Sequence, residues 1–136
     1  MIVIDTNVIS EMMRQDPDAR VLDWAAAAGR LHTTAITLAE IEYGLARLPA
    51  GRRKDQLTAS ATDTFADFED VVLPFDTRAA RRYGRIVVDR EAAGLPISSA
   101  DAQIAAVCAA HNAALATRNT SDFEMTGIRV INPWQC

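Results

Sequence analysis

Apolar positions along this chain fall into two kinds of run, and their alternation predicts the architecture. Short continuous runs rich in Val, Ile, Leu and Ala read as buried strands at Met1 to Ile4, His32 to Ile36, Val71 to Leu73, Ala114 to Thr117 and Ile128 to Ile131. Between them apolar residues recur at helical spacing. A short helix runs through about Met13, and Asp16-Pro17-Asp18 opens a second, through Val21, Leu22 and Trp24 to Gly29, so that the two make a helical hairpin. Thr37 can cap a helix carrying Leu38, Ile41, Leu45 and Leu48, which Pro49-Ala50-Gly51 stops. Arg52 to Asp70 reads as a polar helix with Leu57, Phe65 and Phe68 inward. An Arg-rich helix follows Asp76 and ends at Gly94. After the loop Leu95-Pro96-Ile97, Ser98-Ser99 opens a helix of small residues reaching Ala110.

Strands that alternate with helices must pair in parallel, through right-handed crossovers. At 136 residues the chain reads as one α/β domain, residues 1–136, large enough to bury a core without disulfides or structural metal. No basic leader, cleavage pattern or bilayer-length apolar run is seen, so a cytoplasmic protein with no membrane partner is expected. Cys108 lies in an Ala-rich helix and Cys136 is the last residue, a spacing that reads as two reduced thiols. His32 and His111 stand apart and form no zinc or triad pattern. The formal charge of −4 argues against holding nucleic acid by overall attraction and leaves only local charge for that task.

In an open parallel sheet, ligands bind beyond the carboxyl ends of the strands, where strand order reverses. Acidic residues at those ends and at the following helix starts are Asp5, Glu40, Asp101 and the Asn119/Asp122 pair. Each also has a plainer role. Asp5-Thr6-Asn7 is a good helix cap, Ser98-Ser99-Ala100-Asp101 is a capping box, and Asp76 after Pro74-Phe75 is most simply a cap. In AEIEYG, helical spacing sets Glu42 nearer the Leu38–Ile41–Leu45 stripe and Glu40 on the face of Gly44 and Arg47, and geometry alone leaves the choice between them open.

Taken together, IVIDTNVIS, AITLAEIEYG, SSADAQIAA, LATRNTSDF and the final INPW resemble the PIN-domain endoribonucleases, specifically the VapC or FitB type toxins of bacterial toxin–antitoxin pairs. The resemblance covers essentially the whole chain. It implies a three-layer α/β/α fold around a central parallel sheet of four to five strands, and metal-dependent cleavage of RNA in an acidic pocket. Carried over by position, it names Asp5, Glu40 and Asp101, with Asp5 and Asp101 as metal ligands, and it favours Glu40 over Glu42. At the fourth position this chain has Asn119 where some members place an aspartate, so Asp122 takes the acidic role and Asn119 orients a ligand or water. Thr6, Asn7, Ser98 and Thr117 are the supporting polar groups. It further implies an antitoxin partner, contact with DNA only through that antitoxin, and a homodimer, which would cover the apolar surplus of the Leu38 to Leu48 helix, Tyr43 included.

The residue types suit this chemistry. Clustered carboxylates repel one another and stay ionised at low cost only with a divalent cation among them. A hard cation such as Mg²⁺, with Mn²⁺ the other candidate, takes oxygen ligands and keeps several waters. Arg52-Arg53-Lys54 and the run Arg78, Arg81, Arg82 and Arg85 are candidate holders of the RNA backbone, and equally read as solvated helix faces. A phosphatase working through an aspartyl-phosphate at Asp5 is opposed by Asn7, where a second carboxylate is needed, and by Lys54 being the only lysine. A non-enzymatic binding module whose acids are only caps, and a free-standing RNA-processing nuclease, are the remaining alternatives.

Overall fold

The structure, a computed structural model, describes residues 1–67 and 71–136. Five parallel strands, β1 (Ile2–Ile4), β2 (Leu31–Thr34), β3 (Val72–Leu73), β4 (Ala114–Ala116) and β5 (Val130–Ile131), line up in the order β3-β2-β1-β4-β5. The helices are α1 (Thr6–Met12), α2 (Ala19–Ala28), α3 (Ala35–Ala46), α4 (Arg52–Ala66), α5 (Thr77–Ala92) and α6 (Ser99–Ala110), with a 3-10 turn at Thr120–Phe123.

The period-two alternation of strand side chains sorts these helices into two layers. Val3 and Leu115 point into one core with Ala79 and Ile86 of α5 and Ile104, Ala105 and Val107 of α6. Ile4 and Ala116, their chain neighbours, point into the other with Val8 and Ile9 of α1, Val21 of α2, Ile41 and Leu45 of α3 and Ala61 of α4. The small residues of α6 allow the extensive packing of α5 along it. This is the expected α/β/α sandwich, and both cysteines are free within it.

Local capping chemistry fixes where strands become helices. Asp5 accepts from Thr6 N–H, Asp18 from Arg20 N–H, Asp76 from Ala79 N–H and Ser98 from Asp101 N–H. Two expectations need correction at β2. The strand ends at Thr34 rather than Ile36, and Thr34, not Thr37, is the cap of α3, its hydroxyl accepting Thr37 N–H at 3.1 Å. Ile36 turns instead into the α5/α6 core, an outcome that the β-branched run HTTAI conceals. The fifth strand is also shorter than its apolar run, Val130–Ile131. Leu57 and Phe65 of α4 pack inward as expected, while Phe68 lies outside the described residues. Among the described residues no helix is long and apolar enough to cross a membrane.

Candidate active site

β1 has β2 on one side and β4 on the other, so the strand order reverses at β1, and a crevice opens beyond its carboxyl end. Asp5 is the first residue past that end and is held from every side. Its backbone N–H continues the sheet by donating to Ala116 O at 2.9 Å. Oδ1 accepts Thr6 N–H at 2.8 Å, and Oδ2 accepts the Thr117 hydroxyl at 2.7 Å and Asn7 Nδ2 at 3.3 Å. Thr117 is fully buried just past β4, and its oxygen also accepts Asn7 Nδ2 at 3.0 Å and Asn119 N–H at 3.2 Å. The Asn7 side chain returns across the crevice, accepting Arg118 N–H on Oδ1 at 3.0 Å. One carboxylate thus locks the ends of two adjacent strands in register.

Glu40 arrives from α3. Its Oε1 accepts the Thr6 hydroxyl at 2.7 Å, and the same hydroxyl lies 3.2 Å from that of Thr37. Thr6 therefore bonds Asp5 through its backbone and Glu40 through its side chain. Asp101 enters on the first turn of α6 behind the Ser98 cap, at 3.1 Å from N–H to Oγ, and Asp122 comes from the 3-10 turn. Burial grades across the four: Asp5 is buried, Asp101 half-buried, Glu40 and Asp122 exposed.

Asp5 and Asp101 feel both their burial and the neighbouring acids. Burial holds the Asp5 carboxyl above the usual range against the lowering effect of its Thr117 and Thr6 hydrogen bonds, with Glu40 and Asp122 adding repulsion. Asp101 is pushed up to about 6, first by burial and then by the charge of Asp5, with Asp122 and Glu40 contributing further. Among the described residues none of the four forms a salt bridge, the ion pairs being Arg14–Glu11, Arg20–Asp18 and Arg85–Asp89. The pocket thus gathers carboxylates that, among the described residues, have no cation in direct contact.

Asp5, Glu40, Asp101 and Asp122 therefore come together with Thr6, Asn7, Ser98, Thr117 and Asn119. The arginine run of α5 is placed differently. Arg78 donates to Ala110 O at 2.5 Å, at the carboxyl end of α6, whereas Asp101 is at its amino end, roughly 13 Å away at helical rise. Arg82, one turn along from Arg78, is exposed on that remote half of α5. On α4, Arg53 borders a hollow with Arg14 and Leu57, and Leu57 also borders an apolar cleft of about 310 Å³ that has Glu40 and Thr6 at its edge. Lys54 lies on the other side of that helix, beside Glu42, and Arg52 is exposed at its start. Gly44 lines the Glu40 cleft, and a Cβ there would meet nothing.

Two groups near the pocket escaped the sequence reading. Thr34, bonded to Thr37, anchors the start of α3 beneath Glu40, a role that a Thr pair at a strand-to-helix junction could have suggested. Arg118, exposed, lays its guanidinium 5.0 Å over the Trp134 ring, and no pattern in the chain signals that pairing.

A parallel sheet covered on both faces, with an acidic crevice where its strand order reverses, defines the class of protein, and comparison with known proteins specifies it. The chain belongs to the PIN-domain family, whose profile matches residues 2–127. It is 43% identical over 138 residues to the plasmid stability protein StbB of Pseudomonas syringae pv. tomato, covering 99% of each chain. It is 43% identical over 141 residues to the VapC ribonuclease Y4jK of Sinorhizobium fredii, again covering 99% of each. In three dimensions it matches the crystal structure of FitAcB from Neisseria gonorrhoeae with a TM-score of 0.90, 36% identity and 100% of both chains covered.

Proposed function

We propose that this chain is a divalent-metal-dependent endoribonuclease acting as the toxin of a VapBC-type toxin–antitoxin pair. The observation that carries the reading is the convergence of four carboxylates at the switch point, none of them in a salt bridge among the described residues, on a PIN fold whose relatives include a VapC ribonuclease. Such a cluster is strained alone and relieved by a cation. Among the described residues no three His, Cys, Asp or Glu side chains close into a ready-made cage. The donors at the pocket are carboxylate oxygens, the type that suits a hard ion; Mg²⁺ is commonly held by one or two carboxylates with water completing its shell, and Mn²⁺ accepts the same donors.

Asp5 and Asp101 are the proposed ligands. Bound there, the ion would supply a water of lowered pKa and a counter-charge for the scissile phosphate. The protein does the positioning. The Thr117 hydroxyl and Thr6 N–H hold both Asp5 oxygens in a fixed plane. Thr6 holds Glu40 by Oε1, so that this carboxylate can take a proton from an attacking water. Asn119, tied to Thr117, and Asp122 close the far side. Arg118, whose backbone bonds Asn7 at the crevice, is an exposed cation able to meet the RNA backbone beside the acids, and Arg52, Arg53, Lys54 and Arg82 could serve RNA that extends past the crevice.

The antitoxin's inhibitory segment is proposed to lie in the apolar cleft beside Glu40 and to reach the acids with an arginine, whose fork pairs with carboxylates. Homodimer formation would cover Tyr43, which is 64% exposed. The decisive experiment incubates the purified protein with total RNA across a Mg²⁺ series, with chelator and with Asp5→Asn as controls, and repeats it with the protein encoded beside it. Cleavage that needs metal and Asp5, and that the neighbour suppresses less as Mg²⁺ rises, is the expected result. Cleavage indifferent to metal and to Asp5 would overturn the reading, and cleavage the neighbour never suppresses would leave a free-standing nuclease.

A further inference from the structure

Arg90 belongs to no pattern that the sequence singles out, yet among the described residues it is the buried cation, 4% exposed in the last turns of α5. Buried charges are normally paired with a counter-ion. Among the described residues Arg90 forms no salt bridge. Its donors go to backbone carbonyls instead: Nη1 to Glu124 O at 2.8 Å and to Ser121 O at 3.4 Å, Nη2 to Pro96 O at 3.2 Å, while Nε is buried without a partner. The backbone of Arg90 is equally fixed, since Gly94, at φ +73°, turns the chain so that Leu95 N–H donates to Arg90 O at 2.9 Å.

The carbonyls it grips belong to the two segments that carry the outer acids. Ser121 and Glu124 flank Asp122, and Pro96 stands two residues before Ser98, the cap behind Asp101. Each segment also has its own hold on the core: Ile97 and Ala100 pack against the α5/α6 core, while Phe123 is buried and Thr126 donates to Phe123 O at 2.6 Å. Arg90 is the one side chain whose hydrogen bonds, among the described residues, join the two segments to each other. A planar guanidinium can hold carbonyls from two directions at a fixed spacing, and an ammonium cannot.

We propose that Arg90 is a positioning residue that sets the separation of Asp101 and Asp122, and through it the affinity of the pocket for a divalent cation, without touching that cation. The inference rests on the metal-binding reading above. It is tested by calorimetric titration of Mn²⁺ into the wild type, Arg90→Lys, Asp122→Asn and the double variant, with circular dichroism on each. Arg90→Lys is expected to weaken Mn²⁺ binding about tenfold or more, the usual range for residues that orient ligands. The double variant should bind within about threefold of the weaker single variant, because two changes acting on one element do not add. Unchanged affinity in Arg90→Lys, or losses that multiply in the double variant, would overturn the proposal. Should Arg90→Lys fail to fold, Arg90→Gln takes its place. Failure of both to fold without metal would also overturn it, by making Arg90 a requirement of the whole fold. A wild type that binds no Mn²⁺ would instead refute the metal reading itself.

Discussion

Replacing Asp101 by asparagine is expected to make the metal-free protein more stable, and increasingly so as pH rises. The Asp101 carboxyl is pushed from 3.8 to about 6 in the fold by burial and by Asp5, Asp122 and Glu40. Over that interval the native chain holds more protons than the unfolded one, so stability falls as pH climbs from about 4 through 6. Two units at roughly 1.4 kcal/mol each would set a ceiling near 3 kcal/mol. Because the side chain is only half-buried, solvent screening reduces the figure to about 1–1.5 kcal/mol. The substituted amide cannot ionise and keeps the bulk of the protonated acid. Asp101→Asn should therefore match the wild type near pH 4 and exceed it by about 1–1.5 kcal/mol above pH 7, a rise in Tm of roughly 4 °C for a chain of this size. Urea denaturation in chelator across pH 4.5 to 8 measures the difference directly, and titrating groups outside the cluster cancel between the two proteins. With saturating Mg²⁺ the order should reverse, since an ion bound at 100 times its Kd contributes about 2.7 kcal/mol to the wild type alone. A difference that stays flat with pH, or that favours the wild type in chelator, would refute the account of the cluster.

Glu40→Gln should lower RNA cleavage far more than Glu42→Gln, because Glu40 shares the Thr6 hydroxyl with the pocket and Glu42 lies beside Lys54; equal losses in parallel kinetic assays would show the wrong carboxylate had been placed at the site. Thr117→Val removes a buried hydroxyl that donates to Asp5 and accepts two N–H groups, and should destabilise the fold by about 1–3 kcal/mol. It also removes a group that lowers the Asp5 pKa, so the acid limb of the cleavage–pH profile should move to higher pH; an unmoved limb would show that Asp5 ionisation does not govern the rate.

The strand and helix order, the capped helix starts and the position of Asp5 were all readable from the chain, because each depends on residues within one turn or one strand of one another. Asp18, Asp76 and Ser98 cap the helices that their types announce, and Ile4-Asp5 marks the end of β1 whatever surrounds it. Even there the local signal misled by a few residues at β2, where HTTAI suits a strand as well as the cap and first turn of α3. Periodicity could not choose Glu40 over Glu42. That choice depends on Thr6, 34 residues away, whose hydroxyl reaches α3 only once β1 and β2 are paired. The Asp5–Thr117 bond spans 112 residues and exists because β4 inserts beside β1, a fact of strand order that no local pattern carries. The arginines divide in the same way. In sequence Arg82 and Arg90 are alike, two cations on one Arg-rich helix. The direction in which α5 crosses α6 leaves Arg82 exposed at the end remote from the acids and buries Arg90 among the carbonyls of their loops. Side-chain type and spacing act over a few ångströms of contour, so they determine elements and caps, whereas a site assembled from four separate segments is settled only when the sheet fixes which ends meet.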